Sequence, residues 1–236
     1  MTFGSTFGRT FSPTFQPHSQ AVAVAGGGWW DLNGTITSCV AAYQAKGAAS
    51  LAAAKVNLAN PGTYDAAAVN GNVGWSADNG FMSSKDNNYK LNTGVTINSA
   101  NWTFIIRFSG YVNSKPNENL CGYWNNAKIS AFRFRTSSNV GNFANYTYDT
   151  YTVVIDSDVS GSLTSGVVAA AGSAAYLNGT NVGTITQGTG QDGLFYICGR
   201  NYAENSLTVN TLAFAIYNSV LTSTQVSNLT TAMAAL

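Results

Sequence analysis

The sequence contains few charged residues: lysine, arginine, aspartate and glutamate make up 9% of its 236 residues, and the formal net charge is +1. Globular proteins usually contain about 25% charged residues. No cluster of lysine or arginine occurs, so the electrostatic signature of a nucleic-acid-binding protein is missing. We therefore predict no nucleic-acid partner. So little charge also gives weak colloidal protection to a free monomer, which favours a homo-oligomer or a larger assembly.

Residues for metal and redox chemistry are equally scarce. The three cysteines, Cys39, Cys121 and Cys198, share no CxxC spacing, which argues against a disulfide framework or a zinc site and favours buried free thiols. No apolar stretch has the length of a bilayer span, and none near the N-terminus has the length of a signal peptide. We predict no metal, no cofactor and no membrane insertion, with synthesis in a cytosol.

Catalytic side chains are also few. The single histidine, His18, lies beside Pro17 near the N-terminus, and the two glutamates, Glu118 and Glu204, fall in Asn-rich segments that we predict to be loops. Sandwich proteins that cleave glycans need two carboxylates flanking the scissile bond. Asp156-Ser-Asp158 could supply two of the six or more ligands that calcium needs, but a solvated turn is the favoured interpretation. We predict no catalytic residue and no enzyme.

The first twenty residues contain a repeated Thr-Phe pair with a four-residue period, which places Phe3, Phe7, Phe11 and Phe15 in register. Glycine and proline between the pairs disfavour a helix, and in an extended chain residues four apart project to the same side. Each ring would gain roughly 1.5 to 3 kcal/mol on full burial. We predict that residues 1–28 are a docking arm and linker that bind a partner. The alternative is that the arm folds back onto its own domain.

The rest of the sequence, residues 29–236, is typical of one antiparallel β-sandwich. Asn178-Gly179 predicts a two-residue hairpin. Thr222 to Gln225 fits a capping box, and the apolar residues that follow it at helical spacing predict a C-terminal helix. A second short helix is predicted over 47–55 from its alanine content. The clearest predicted strands are 102–108, 129–135, 151–155, 165–171, 174–177, 193–198 and 212–217, with a further one near 36–43.

Four segments carry a family resemblance: Tyr89–Gly94 (YKLNTG), Trp102–Ile106 (WTFII), Tyr176–Gly179 (YLNG) and Leu212–Leu229 (LAFAIYNSVLTSTQVSNL). They resemble the laminin-G-like members of the concanavalin A-type lectin and glucanase superfamily, from about Trp75 onward. The resemblance implies an all-β fold, an antiparallel concanavalin A-like jelly roll. It would carry an extended N-terminal arm and short helices, one of them at the C-terminus.

A second resemblance involves Cys39–Ala66 together with the Thr-Phe arm, which are similar to a group of bacteriophage proteins that carry this domain. It implies a structural protein of a phage virion, made in the host bacterial cytoplasm. The favoured role is capsid decoration or cement, attached to other virion proteins by the arm. The alternative is a glycan-binding adhesin of a tail or head fibre, whose ligand would be a host surface glycan.

One cluster has the composition of a glycan site. Lectins combine an aromatic platform for the apolar face of a sugar with amide or carboxylate groups for its hydroxyls. Tyr123, Trp124, Asn125 and Asn126 meet that description, and we predict them as glycan-binding residues. The competing interpretation is that the two aromatic residues pack in the core or at a sheet edge.

Overall fold

The structure is a computed structural model of the chain, and it describes residues 27–83, 89–97, 101–112, 118–125, 128–135, 140–147, 164–185, 193–199 and 208–236. Two helices and fourteen strands lie in these ranges. The helices are α1 (Leu51–Ala54) and α2 (Ser223–Ala234). The strands are β1 (Cys39–Gln44), β2 (Ala67–Val69), β3 (Gly74–Ser76), β4 (Gly80–Ser83), β5 (Lys90–Ile97), β6 (Thr103–Val112), β7 (Glu118–Asn125), β8 (Lys128–Arg135), β9 (Val140–Thr147), β10 (Gly166–Ala171), β11 (Ala174–Leu177), β12 (Thr180–Thr184), β13 (Gly193–Ile197) and β14 (Thr208–Tyr217).

The described strands form two antiparallel sheets. The larger sheet has eight strands: seven follow the order β12-β11-β10-β6-β14-β4-β3, and β1 also pairs with β14. The smaller sheet has six strands in the order β2-β5-β13-β7-β8-β9. Every strand pair between these elements is antiparallel. The predicted all-β sandwich is confirmed.

Strand β14 lies at the centre of the eight-stranded sheet. One of its edges pairs with β6 from Thr208 to Tyr217. The other edge is shared, because β4 pairs with residues 209–211 and β1 pairs with the part that ends at Tyr217. The start of β4 approaches closely: a Cβ on Gly80, whose φ is +66°, would lie 2.4 Å from the carbonyl oxygen of Thr211. Only glycine fits there.

The main core lies between the two sheets and contains a row of aromatic rings. Phe195 of β13 contacts Phe104 of β6 and Phe214 of β14, with ring centroids 5.1 and 5.4 Å apart. Tyr43 of β1 extends the row, since its ring stacks on Phe214 at 6.3 Å. All four side chains are buried. Because the rings come from both sheets, their packing holds the two layers face to face.

A second apolar layer covers the outer face of the eight-stranded sheet. Helix α2 contributes Val226, Leu229 and Met233, and the sheet contributes side chains such as Ile105 and Ala215. The helix begins with the predicted capping box, in which Thr222 and Gln225 bond to each other's backbone N–H groups. The eight-stranded sheet is therefore buried on both faces, which explains why β6, β10 and β14 are nearly continuous apolar runs.

Most of the predicted elements are confirmed. Strands appear at 103–112, 128–135, 166–171, 174–177, 193–197 and 208–217, and β1 is found at 39–44. The hairpin turns at Asn178-Gly179, where Asn178 has a φ of +49°. The predicted strand at 151–155 lies outside the described residues. So do Phe3, Phe7, Phe11 and Phe15, and the division of the chain at residue 28 remains a prediction.

Two expectations need correction. Glu118, predicted to lie in a loop, is the first residue of β7, where it is paired with Phe134 of β8. Backbone pairing with β8 therefore outweighs the low strand propensity of this Asn-rich segment. The predicted helix over 47–55 is reduced to the four residues of α1, which begins after the N-cap Ser50. Among the described helices, none combines the length and the hydropathy of a transmembrane span.

Candidate functional site

The predicted glycan residues fall on or beside β7, but they do not all face the same environment. Tyr123 is 2% exposed and belongs to the core between the sheets, so its ring is not accessible to a ligand. Trp124 and Asn125 occupy the last two positions of β7, opposite Ile129 and Lys128. Their side chains, and Asn126, lie outside what the structure describes, and for these three residues the glycan site remains a prediction.

The outer face of the six-stranded sheet is open where β5 meets β13. Tyr196 of β13 is paired with Asn92 of β5, and Leu194 is paired with Thr96. These four side chains alternate with core residues of the same strands, so they lie on the face turned away from the core. Asn92, Leu194 and Tyr196 are half-buried, and Thr96 is exposed. In the described part of the molecule the corresponding face of the larger sheet is covered by α2 and the segment before β1.

A bulge in β5 shapes this face. The register between β5 and β13 shifts between Leu194 and Tyr196, and Gly94 has a φ of +72°, as expected for a bulge that uses glycine. Two hydrogen bonds fix the backbone at this point: the Thr93 hydroxyl donates to the Phe195 carbonyl at 2.8 Å, and the Gly94 N–H donates to Oδ1 of Asn92 at 2.8 Å. The amide of Asn92 is thereby oriented, and its Nδ2 group has no hydrogen-bond partner among the described residues.

Tyr64 lies against this bulge. A Cβ placed on Gly94 would be 3.4 Å from a ring carbon of Tyr64 and 3.9 Å from its Cα. Tyr64 is 44% exposed, and among the residues whose side chains the structure describes no other large aromatic residue is as open to solvent. Its backbone has a φ of +62°, a conformation that costs a non-glycine residue on the order of 1 to 3 kcal/mol. The buried Tyr43 hydroxyl donates a hydrogen bond to the Tyr64 carbonyl oxygen and holds it in place.

The loop that presents Tyr64 is organised by the buried side chain of Asn57. Its Nδ2 group donates to the carbonyl oxygens of Val40 at 3.0 Å and Thr63 at 2.8 Å. Its Oδ1 atom accepts from the N–H groups of Ala42 at 2.9 Å and Ala59 at 3.0 Å. Two of these hydrogen bonds tie the loop to β1 and two hold the loop itself together, and this amide is satisfied at every position that an asparagine can use.

Asp65, the residue after Tyr64, uses one carboxylate oxygen for structure. Its Oδ1 atom accepts from the N–H groups of Asn57 at 2.8 Å and Gly62 at 3.2 Å. No other hydrogen bond and no ion pair joins Asp65 to another described residue, and the residue is exposed. Its Oδ2 atom is consequently an available acceptor on the residue that follows Tyr64.

The arrangement offers hydrogen-bonding and stacking groups. Tyr64 supplies an aromatic face, Asp65 an acceptor and Asn92 a donor, which are the groups that bind a polyhydroxylated ring. Farther along the face, partial burial raises the pKa of Tyr196, so its phenol stays neutral. No cluster of three potential metal ligands occurs within the described ranges. The sequence signals that point to this site are the Asn60-Pro61-Gly62 turn and the NTG of the bulge, but neither reveals exposure.

The three cysteines are free thiols, two of them fully buried. Burial raises the pKa of Cys39 to about 12, with the negative charge of Asp31 as the second cause. Burial likewise raises the pKa of Cys198 to about 12, and it raises that of Cys121 further. Neutral thiols of this kind are poor nucleophiles, so the predicted role as buried packing groups holds for Cys121 and Cys198.

No protein-family model matches this sequence, and no curated protein matches it either. Solved structures do share the fold. The sialidase of Trypanosoma rangeli, in complex with 2,3-difluorosialic acid as a covalent intermediate, superposes with a TM-score of 0.56 at 13% identity, over 82% of this chain and 32% of the sialidase. The chain thus spans about a third of that enzyme.

Two botulinum neurotoxin structures are similar to a comparable extent. One is botulinum neurotoxin type C, which depends on interaction with two ganglioside molecules to enter cells; its TM-score is 0.57 at 16% identity, over 83% of this chain and 51% of that chain. The other is the binding domain of botulinum neurotoxin DC in complex with SialylT, with a TM-score of 0.57 at 15% identity, over 84% and 52% of the two chains. At such identities the likeness shows the fold alone, a β-sandwich that also occurs in lectin-like binding domains.

One prediction is overturned by these comparisons. The expectation that the chain is not an enzyme is wrong as stated, because the same sandwich is found in the Trypanosoma rangeli sialidases, which are enzymes. That expectation rests on the scarcity of histidine and glutamate, and composition cannot exclude catalysis on a fold that serves both enzymes and binding domains. Glu118 is on β7, its side chain lies outside the described part, and no catalytic role is assigned to it.

Proposed function

We propose that this chain is a glycan-binding β-sandwich module whose ligand lies on the outer face of the six-stranded sheet. The observation that carries the proposal is that this face is open and displays Tyr196 and Asn92 at paired positions of adjacent strands. A surface with aromatic and amide groups suits sugars, which present apolar C–H faces and many hydroxyls.

The solved structures support this proposal, but they do not identify the ligand of this chain. The names of three of them mention gangliosides, SialylT and a difluorosialic acid as what those proteins bind. Their sandwiches place a binding function on the same kind of scaffold as the one described above.

A glycan array probed with the full chain tests the proposal. We expect binding to at least one glycan, a loss of tenfold or more for Tyr196→Ala, and unchanged binding for Val220→Ala, which alters an exposed side chain away from this face. Absence of binding to every glycan would refute the proposal. Loss in Trp124→Ala with full binding in Tyr196→Ala would instead place the ligand at the end of β7 and exclude the face formed by β5 and β13.

We also propose that the module is displayed on a bacteriophage particle, attached to other virion proteins by the segment that carries Phe3, Phe7, Phe11 and Phe15. The support is the Thr-Phe repeat and the resemblance of Cys39–Ala66 to phage proteins. Deletion of residues 1–20 should leave a folded sandwich that no longer joins particles. Particle incorporation of the shortened chain at the level of the full chain would contradict the proposal.

A further inference from the structure

We propose that Tyr64, Asp65 and Asn92 form the principal subsite of the binding face, and that this subsite takes one neutral pyranose residue of a glycan. The inference rests on the proposed glycan-binding function and specifies its residues and ligand class. The three residues come from two segments that meet at the Gly94 bulge. β2, which begins two residues after Asp65, is paired with β5 through Ala67 and Asn92.

The Tyr64 ring provides the stacking surface. The ring lies close to β5: its Cδ1 atom is 3.4 Å from the position that a Cβ on Gly94 would occupy, an ordinary van der Waals distance. The Tyr43 hydroxyl holds the Tyr64 backbone, so ordering this loop on ligand binding costs less than ordering a mobile loop would. The hydrogen bonds of Asn57 and Tyr43 that hold this loop are buried or partly buried, and they do not compete with the ligand.

The hydroxyls of the sugar would be bound by Asp65, which follows Tyr64 in the chain, and by Asn92, which bonds to the backbone of Gly94. Asp65 has Oδ2 available as an acceptor, and Asn92 has the Nδ2 group available as a donor, because in each residue the other atom already holds the local backbone. Both groups are therefore fixed in orientation before the ligand arrives. A hydrogen-bonded carboxylate and an oriented amide discriminate strongly against ligands that lack matching hydroxyls.

The charge of Asp65 determines the ligand class. Its carboxylate is exposed and has no ion pair within the described ranges. An anionic sugar such as a sialic acid or a sulfated residue would place a second negative charge beside it, and like charges at short range are unfavourable. A neutral pyranose avoids this repulsion and gains a charge-assisted hydrogen bond from one of its hydroxyls.

The backbone of Tyr64 gives independent support. A left-handed backbone conformation is favourable for glycine and tolerable for asparagine, but it lowers stability when a bulky aromatic residue adopts it. The ring is nevertheless directed to solvent instead of being buried, so core packing does not offset this cost. Such a combination of strain and exposure is expected where the side chain has a ligand to bind.

The test uses the full chain and a panel of methyl glycosides of glucose, galactose, mannose and N-acetylglucosamine, with 3′-sialyllactose as the charged comparison, measured by NMR titration. Tyr64→Asn is the informative variant, because asparagine suits the left-handed backbone and the protein should fold at least as stably. We expect a neutral glycoside to bind, Tyr64→Asn to weaken it tenfold or more, and Tyr64→Phe to keep it within about twofold. Asp65→Asn, which preserves Oδ1, should weaken the neutral ligand and improve 3′-sialyllactose.

The outcomes separate the two proposals. If a neutral glycoside binds Tyr64→Asn as tightly as the unaltered chain, the subsite assignment is wrong and the glycan-binding function stands. Stronger binding of 3′-sialyllactose than of any neutral glycoside would overturn the ligand class. If nothing in the panel binds and the array is also negative, the glycan-binding function itself fails. Val220→Asn, an equally polar change at an exposed site elsewhere, should leave all titrations unchanged.

Discussion

The guanidinium of Arg107 donates a hydrogen bond of 2.7 Å from Nη1 to the carbonyl oxygen of Met233. Arg107 lies on β6 in the centre of the eight-stranded sheet, and Met233 lies in the last turn of α2, which contains no basic residue of its own. The arginine therefore places a positive charge at the negative end of the helix dipole and adds a charged donor to a carbonyl that also accepts from the Leu236 N–H at 3.2 Å. Partial burial lowers the pKa of Arg107, but the group stays protonated.

Replacement of Arg107 by methionine should lower the free energy of unfolding by about 1 kcal/mol, a value kept small because much of the side chain is accessible to solvent. Methionine keeps most of the apolar stem and removes the donor. Urea unfolding followed by circular dichroism measures the change. Arg107→Lys retains the positive charge and should lower the free energy of unfolding by less than Arg107→Met does. Equal stability of the methionine variant would show that α2 does not depend on this contact.

Asn57 should be among the residues most sensitive to substitution. Asn57→Ala leaves two backbone N–H groups and two carbonyls without their buried partner, and we expect a loss of about 3 kcal/mol in the free energy of unfolding. Because the same hydrogen bonds hold the loop that carries Tyr64, Asn57→Ala should also weaken glycan binding. Asn60→Ala, an exposed change in the same loop, is the control and should shift stability by less than about 0.5 kcal/mol. Similar unfolding curves for the two variants would contradict the role assigned to Asn57.

Because the pKa of the Cys39 thiol is raised, we expect the protein to lose stability in alkali. The pKa of Cys39 is raised from 9.0 to about 12, so above pH 9 the unfolded chain loses a proton that the folded chain retains. The stabilisation is complete below pH 9 and is lost as the pH rises toward 12, by up to roughly 1.4 kcal/mol per pH unit for each such thiol. Urea unfolding just below pH 9 and at about pH 10 measures the slope. In Cys39→Ala the free energy of unfolding should decline less steeply with pH. An unchanged decline would contradict the raised pKa of Cys39.

The elements that sequence patterns predict are those whose cause is local. Asn178-Gly179 suits a two-residue turn, Thr222 and Gln225 suit a helix start, and β6 and β14 are apolar on both faces. Strands β5 and β7 escape prediction because asparagine and glycine occupy positions such as Asn119 and Gly122. Both strands also pair with β13, which lies far away in sequence, so no short window contains these stabilising contacts.

The candidate site is harder to predict for the same reason. Tyr123 and Tyr196 look alike in sequence, yet one faces the core and the other faces outward, because side-chain direction follows the register of each strand. The placement of Tyr64 depends on the side chain of Asn57, which holds its loop, and on its position near Gly94. The turn residues beside Tyr64 imply neither of these relationships. The aromatic and amide composition is the right chemical signal, but it cannot indicate which tyrosine is exposed.

The position of β14 has a consequence for how the protein is made. Strands β1, β4 and β6 all hydrogen-bond to β14, so while a ribosome is still translating the middle of the chain, the earliest strand has no partner in its own sheet. A nascent chain that ended before Thr208 would leave these edges available to other polypeptides. Assembly of the larger sheet must therefore wait for one of the last segments to be synthesised, which favours late, slow and highly cooperative folding.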